Sequence, residues 1–258
     1  MPPRDRPPPR RATVVARSWL TPSMVRLVLG GPGLHDFPVN GFADQYVKLV
    51  FDRPDADRPA MRTYTVRAWD EAAHELTLDV VVHGSGLAGP WVRDARPGDE
   101  VLVAGPGGGY LPDPAADWQL LVADESALPA VAVILEALPA DAVARVLVEV
   151  DGPADEVPLV APAHAQVVWV HRDGAPRGER LVAAVTGLDF PAGTPQVFLH
   201  GEAGAVRTLR RHLLLDRGVP RERAASVSGY WRLGRDDETW RAEKPVWKRE
   251  VEADVPAT

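Results

Sequence analysis

Arg62-Thr63-Tyr64-Thr65-Val66-Arg67 places three different chemistries along what reads as one β-strand. An arginine fork matches a pyrophosphate, a phenol ring can lie against a planar heterocycle, and a threonine offers a hydroxyl and a backbone to a polar edge. A flavin dinucleotide presents all three features. Strand alternation puts Arg62 and Tyr64 on one side and Thr65 on the other. A flavin on this strand therefore meets Thr65 partly through its backbone, or the strand ends or bulges there.

Outward from this stretch, residues 13–19, 25–29, 45–51, 63–69, 76–82 and 100–103 are short β-rich runs separated by Gly and Pro turns. That spacing predicts a small antiparallel barrel. After Gly107-Gly108-Gly109 and Pro112-Asp113-Pro114 the rhythm changes. Residues 119–123 lead into a helical pattern over 127–138, residues 146–150 and 167–170 read as buried strands, and 197–200 precede an amphipathic stretch over 203–215. Alternating strands and helices predict a parallel sheet with helices on both faces. The expected organisation is a basic, proline-rich disordered arm over 1–11, a barrel domain over 12–112, and an α/β domain with a C-terminal extension over 113–258.

The chain has 258 residues, 45% hydrophobic and 25% charged, which suits a soluble globular protein. A net charge of -7 gives no general attraction to nucleic acid or anionic lipid, so any anion site must be local. The absence of cysteine excludes disulfides, cysteine-ligated iron-sulfur clusters and thiol nucleophiles. The seven histidines show no paired or clustered ligand spacing, so no built-in metal site is expected. No Gly-x-Ser-x-Gly elbow supports a hydrolase. With neither an apolar signal core nor a bilayer-length apolar stretch, the expectation is a cytoplasmic protein without membrane insertion.

Taken with Asp79-x-x-x-His83-Gly84-Ser85-Gly86, Trp91, Arg96-Pro97-Gly98-Asp99, Gly105-Pro106 and Gly229-Tyr230-Trp231-Arg232-x-Gly234, the Arg-x-Tyr-Thr run resembles the siderophore-interacting proteins. These are flavin-dependent ferric-siderophore reductases of the ferredoxin-NADP reductase superfamily. The resemblance implies an antiparallel FAD-binding barrel followed by a parallel-sheet, nucleotide-binding-like domain. It implies FAD held by Arg62, Thr63, Tyr64 and Thr65, by Asp79 and Val81 on a second strand, and by His83, Gly84, Gly86, Ala88, Gly89 and Trp91 in a phosphate loop and short helix. At Gly89 the family usually carries Ser or Thr, so a phosphate there would rely on backbone N–H groups. Three lysines stand among the 29 basic residues: Lys48, Lys244 and Lys248. The resemblance places Lys48, Lys244 and Arg232 around the flavin edge, where an anionic ferric siderophore would dock. Trp231 and Trp240 would shield the flavin or anchor the C-terminal segment, and Gly105 to Gly109 would leave room for a bulky ligand.

Where reductases of the superfamily carry a glycine-rich phosphate loop, this chain reads Ala123-Asp124-Glu125-Ser126-Ala127-Leu128-Pro129. Adjacent carboxylates oppose a bound phosphate, and Ser126 reads as a helix N-cap. The electron donor expected is NADH or a reduced ferredoxin, with NADPH least favoured. Two other classes stay open: a flavin reductase for a different acceptor, and a flavin-containing siderophore-binding module without turnover.

Overall fold

A computed structural model describes residues 7–53, 58–82 and 86–255. The chain divides into two compact units, Met1–Gly109 and Tyr110–Thr258.

The first unit is a closed barrel of six antiparallel strands. They are β1 (Arg10–Thr21), β2 (Met24–Gly30), β3 (Tyr46–Phe51), β4 (Ala60–Asp70), β5 (Glu75–Val81) and β6 (Glu100–Gly107), joined around the wall in the order β1-β2-β5-β4-β3-β6. A short helix, α1 (Ala88–Asp94), lies between β5 and β6 in sequence. The period-two pattern turns Leu27, Leu29, Val47, Leu49, Leu76, Leu78, Val80 and Val103 into one buried cluster that fills the interior. β1 takes in Arg10 and Arg11, which the sequence pattern left in the arm. Both pair with β6, Arg10 opposite Val103 and Arg11 opposite Leu102, and Arg10 also forms an ion pair with Asp36. Backbone pairing draws charged residues into a strand that their composition argues against.

The second unit holds a five-stranded parallel sheet in the order β11-β10-β7-β8-β9. Its elements in chain order are β7 (Trp118–Asp124), α2 (Leu128–Ala137), β8 (Val143–Val150), β9 (His164–His171), α3 (Glu179–Thr186), β10 (Pro195–Glu202), α4 (Ala203–Arg211), β11 (Ser226–Trp231) and α5 (Asp237–Ala253). A wider π turn over His212–Asp216 prolongs α4. Trp118, Leu120, Val122, Val197 and Leu199 pack against residues of α3, α4 and α5. The alternate residues, Leu121 and Phe198 among them, face the opposite side, where the almost wholly buried α2 lies against β7. Since β7 leads to β8 and β9 on one side while β10 and β11 lie on the other, the strand order reverses between β7 and β10. In open α/β sheets ligands enter at the carboxyl end of such a reversal.

Candidate functional site: a flavin cradle in the barrel and an acidic sheet edge

On β4, Arg62 stands opposite Leu49 and Tyr64 opposite Val47. Directly opposed residues share a face, so Arg62 and Tyr64 project on the side of the buried Val47 and Leu49, and Tyr64 packs against that core. Thr63 pairs with Lys48 on the other face, and Thr65, buried, pairs with Tyr46. The register of β4 against β5 shifts between Val66 and Ala68, one residue past Thr65. A bulge there is one of the two arrangements that the alternation of this strand leaves for a flavin at Thr65, the other being contact through its backbone.

Asp79 stands opposite Arg26 across β2 and β5. The Arg26 Nε and Nη2 donate to its two oxygens at 2.7 Å each, and Arg67, the last residue of the opening stretch, lies 3.8 Å away. The buried carboxylate is thus committed to the barrel wall, leaving backbone to face a cofactor. Val81 closes β5 opposite Met24. His83 and Gly84 lie outside the described residues. Gly86 has a positive φ of 90°, and no atom of the described residues lies within 4 Å of where a side chain would point. In α1 the first turn is Ala88, Gly89 and Pro90, preceded by Leu87, which makes no side-chain cap. The N–H groups of Ala88 and Gly89 therefore stand at a helix start with no intrahelical acceptor. Trp91 meets Phe51 edge-on at 5.7 Å and fastens α1 to the barrel. An arginine, a ring on the same face, a strand bulge and a helix start fit the polar and aromatic parts of a flavin dinucleotide. Among the glycines from Gly105 to Gly109, a Cβ on Gly107 would stand 2.3 Å from the Tyr46 ring and one on Gly108 2.9 Å from Phe42, whereas Gly109 has no described atom within 4 Å of that position.

In the second unit, the carboxyl ends of β7, β10 and β11 converge on Asp124. Its Oδ1 accepts from the Ser126 N–H at 2.9 Å and the Ser126 hydroxyl at 2.5 Å. Its Oδ2 accepts from the Glu202 N–H at 2.9 Å and the Trp231 indole N–H at 2.7 Å. Ser126 is therefore not the N-cap of α2; Ala127 holds that position, and the Ser126 hydroxyl is turned back to Asp124. Burial pushes Asp124 up to about 6, with the neighbouring Glu125 charge adding to the rise and the Ser126 and Trp231 hydrogen bonds opposing it. Glu125 is buried against Arg172, and Arg177 lies 3.3 Å from it while resting 5.6 Å over the Trp231 ring.

Trp240 is the anchor of α5: its indole donates to the Tyr230 carbonyl at 3.0 Å and meets Trp247 edge-on at 5.5 Å. Lys244, half-buried on the same helix, lies 5.9 Å over the Trp240 ring. Burial lowers its pKa to about 8, and the charge of Lys248 adds to the effect. Arg232 is exposed and 3.4 Å from Glu243, which also holds Arg235 at 2.8 Å. The structure brings Arg232 and Lys244 to the C-terminal part of the second unit and keeps Lys48 on β3 of the first.

The sequence pattern missed α3, the Arg172 and Arg177 pairs with Glu125, and His200. The His200 ring is buried between Phe198, 4.1 Å away, and Tyr230, 4.7 Å away. Its Nε2 meets Ser226 Oγ at 2.8 Å, while Nδ1 has no hydrogen-bond partner among the described residues. Burial, with the charge of Lys244 adding to it, pushes its pKa down to about 3. A single histidine within an apolar strand carries no local signal for such an environment.

A closed antiparallel barrel followed by a parallel sheet with this strand order is the ferredoxin reductase-like fold. Residues 13–59 and 51–110 match the siderophore-interacting FAD-binding domain, and residues 116–234 match the siderophore-interacting protein model. The chain belongs to the siderophore-interacting protein family. It is 30% identical to the ferric vibriobactin reductase ViuB of Vibrio cholerae over 92% of this chain and 94% of that one. It is 32% identical to the NADPH-dependent ferric-chelate reductase of Escherichia coli over 86% and 92%. The crystal structure of a siderophore utilization protein from T. fusca superposes with a TM-score of 0.81 at 39% identity, covering 90% of this chain and 97% of that one.

Proposed function

We propose that this chain is a cytoplasmic, FAD-dependent reductase that frees iron from ferric siderophores by reducing Fe(III) to Fe(II). The observation that carries this reading is the co-facial pair Arg62 and Tyr64 beside the β4 bulge, in a unit matching an FAD-binding domain. In this reading Arg62 and the N–H groups at Ala88 and Gly89 hold the pyrophosphate, with Gly84 and Gly86 admitting it closely. Tyr64 lies against the ring system, while Thr63, Thr65, Asp79, Val81 and His83 frame it, Asp79 through its backbone. Trp91 keeps α1 in place. Bound FAD supplies electrons that can be passed on one at a time.

The chain's own work is to bind and to attract. Hard oxygen chelators hold Fe(II) far less tightly than Fe(III), so release follows reduction without an acid, a base or a nucleophile from the protein. Lys48, Lys244 and Arg232 supply positive charge for an anionic chelate on a chain of net charge -7. Electrons arrive from a reduced ferredoxin or, by encounter without tight binding, from NADH, with NADPH least favoured. The test is the FAD dissociation constant of folded Arg62→Ala. Loss of a charge-assisted contact worth roughly 1.5–3 kcal/mol weakens FAD about tenfold to a hundredfold. An unchanged constant would remove Arg62 from the site.

A further inference from the structure

We propose that Asp124, with Trp231 docked on it, plugs the crevice between β7 and β10, so that this sheet does not take the pyrophosphate of a pyridine dinucleotide at its strand-order reversal. For donor choice, the proposal rests on the reductase reading above; as a statement about the crevice it stands alone. A dinucleotide-binding sheet needs three things at this edge: a glycine approach for the phosphates, free N–H groups at helix starts, and no competing negative charge.

Here each is taken by the chain itself. The approach is closed because a Cβ on Gly201 of β10 would stand 2.7 Å from Asp124 Oδ2, so the carboxylate already fills the space beside that glycine. The starts of α3 and α4 are spent on acidic side chains, and the start of α2 carries Pro129, which has no N–H to offer. Glu202 caps α4, accepting from the Gly204 and Ala205 N–H groups at 2.6 and 2.9 Å. Glu149 does the same for α3, accepting from Gly178 at 2.9 Å and Leu181 at 3.3 Å. Asp124 takes the Ser126 N–H in the turn before α2.

The charge is also unfavourable. Asp124, Glu125, Glu149 and Glu202 all stand at or next to the carboxyl ends of β7, β8 and β10, and the nearby Arg172 and Arg177 are already paired with Glu125. The Trp231 indole closes the remaining side by donating to the same Asp124 oxygen that takes the Glu202 N–H. An incoming phosphate would have to displace four hydrogen bonds on Asp124 and then meet like charge.

The probe is ADP-ribose, which carries the pyrophosphate but no redox group, titrated into the flavin-loaded protein and followed by calorimetry and by hydrogen exchange at the Ser126 and Glu202 amides. The expected parent result is no saturable binding up to on the order of 1 mM, with both amides unchanged. Asp124→Gly, which removes the plug and one charge, binds ADP-ribose at least about tenfold more tightly, the scale of one like-charge contact at short range. Low-micromolar binding to the parent with protection of the Glu202 and Ser126 amides overturns the proposal, as does a folded Asp124→Gly protein with no gain. If that variant does not fold, the parent titration decides alone. Ferric-chelate reduction by the photoreduced parent, run alongside, tests the reductase reading separately, since the titration does not depend on it.

Discussion

Replacing His200 by phenylalanine should make the second unit less sensitive to acid. His200 is 5% exposed, its Nδ1 has no partner among the described residues, and burial holds its pKa near 3. An unfolded histidine takes up a proton near pH 6.5, whereas the folded one stays neutral until far lower pH. Its contribution to stability is therefore whole above pH 6.5 and is lost as the pH falls toward 3. At pH 5, with the unfolded chain protonated and the folded one not, the loss is about 2 kcal/mol from this residue alone, at roughly 1.4 kcal/mol per pH unit. Asp124 acts with the opposite sign. Its folded pKa of about 6 makes its contribution complete at pH values below the usual carboxylate range and lost as the pH rises through 6. That term is common to both proteins and cancels in their difference. The assay is native-state hydrogen exchange at the Leu199 amide, in the centre of β10, corrected for intrinsic rates, at pH 7, 6 and 5. His200→Phe shifts stability at pH 7 through the lost Ser226 bond, but its curve should flatten relative to the parent by about 2 kcal/mol between pH 7 and 5. Parallel curves would refute the assignment of a neutral, unprotonatable His200.

Two further outcomes follow from the site. Lys48→Ala and Lys244→Ala should each raise the apparent substrate constant for an anionic ferric chelate at low salt. The effect should be about 0.2–1 kcal/mol apiece, fading at high salt with flavin content unchanged, as measured by chelate reduction under a saturating reductant. Parent-like values for both at low salt would move the anion patch elsewhere. In anaerobic stopped-flow mixing, reduced ferredoxin should reduce the bound flavin fastest, NADH slowly and without saturation because the plugged crevice does not hold its pyrophosphate, and NADPH most slowly; rapid reduction at low micromolar NADPH would contradict the donor order.

Much of the architecture was legible because it is carried by local periodicity. The alternation of Leu27 and Leu29, Val47 and Leu49, and Leu76 and Leu78 marked the barrel strands, and the apolar run from Leu120 to Ala123 marked the first strand of the second unit, which is buried on both faces. The side preference of Arg62 and Tyr64 could be worked out from strand geometry alone, which left backbone contact or a bulge open at Thr65. The network on Asp124 could not, because Trp231 lies 107 residues away and Arg172 lies 47 residues from Glu125. Adjacent carboxylates at a strand end signalled hostility to phosphate, but not which partners hold them. The same limit explains Ser126, whose cap-like position was overridden by an acceptor two residues earlier, and Arg10 and Arg11, drawn into β1 by a β6 strand some ninety residues further along the chain.

The central claim is that this chain moves electrons from bound flavin to chelated Fe(III). Purified protein should carry a flavin absorption spectrum that bleaches on anaerobic photoreduction. Mixed with a ferric tricatecholate and an Fe(II)-trapping dye, it should recover the oxidised spectrum while forming two Fe(II) per flavin, the electron count of a fully reduced flavin. Flavin that stays reduced in the presence of the ferric chelate, with no Fe(II) trapped, would contradict the account.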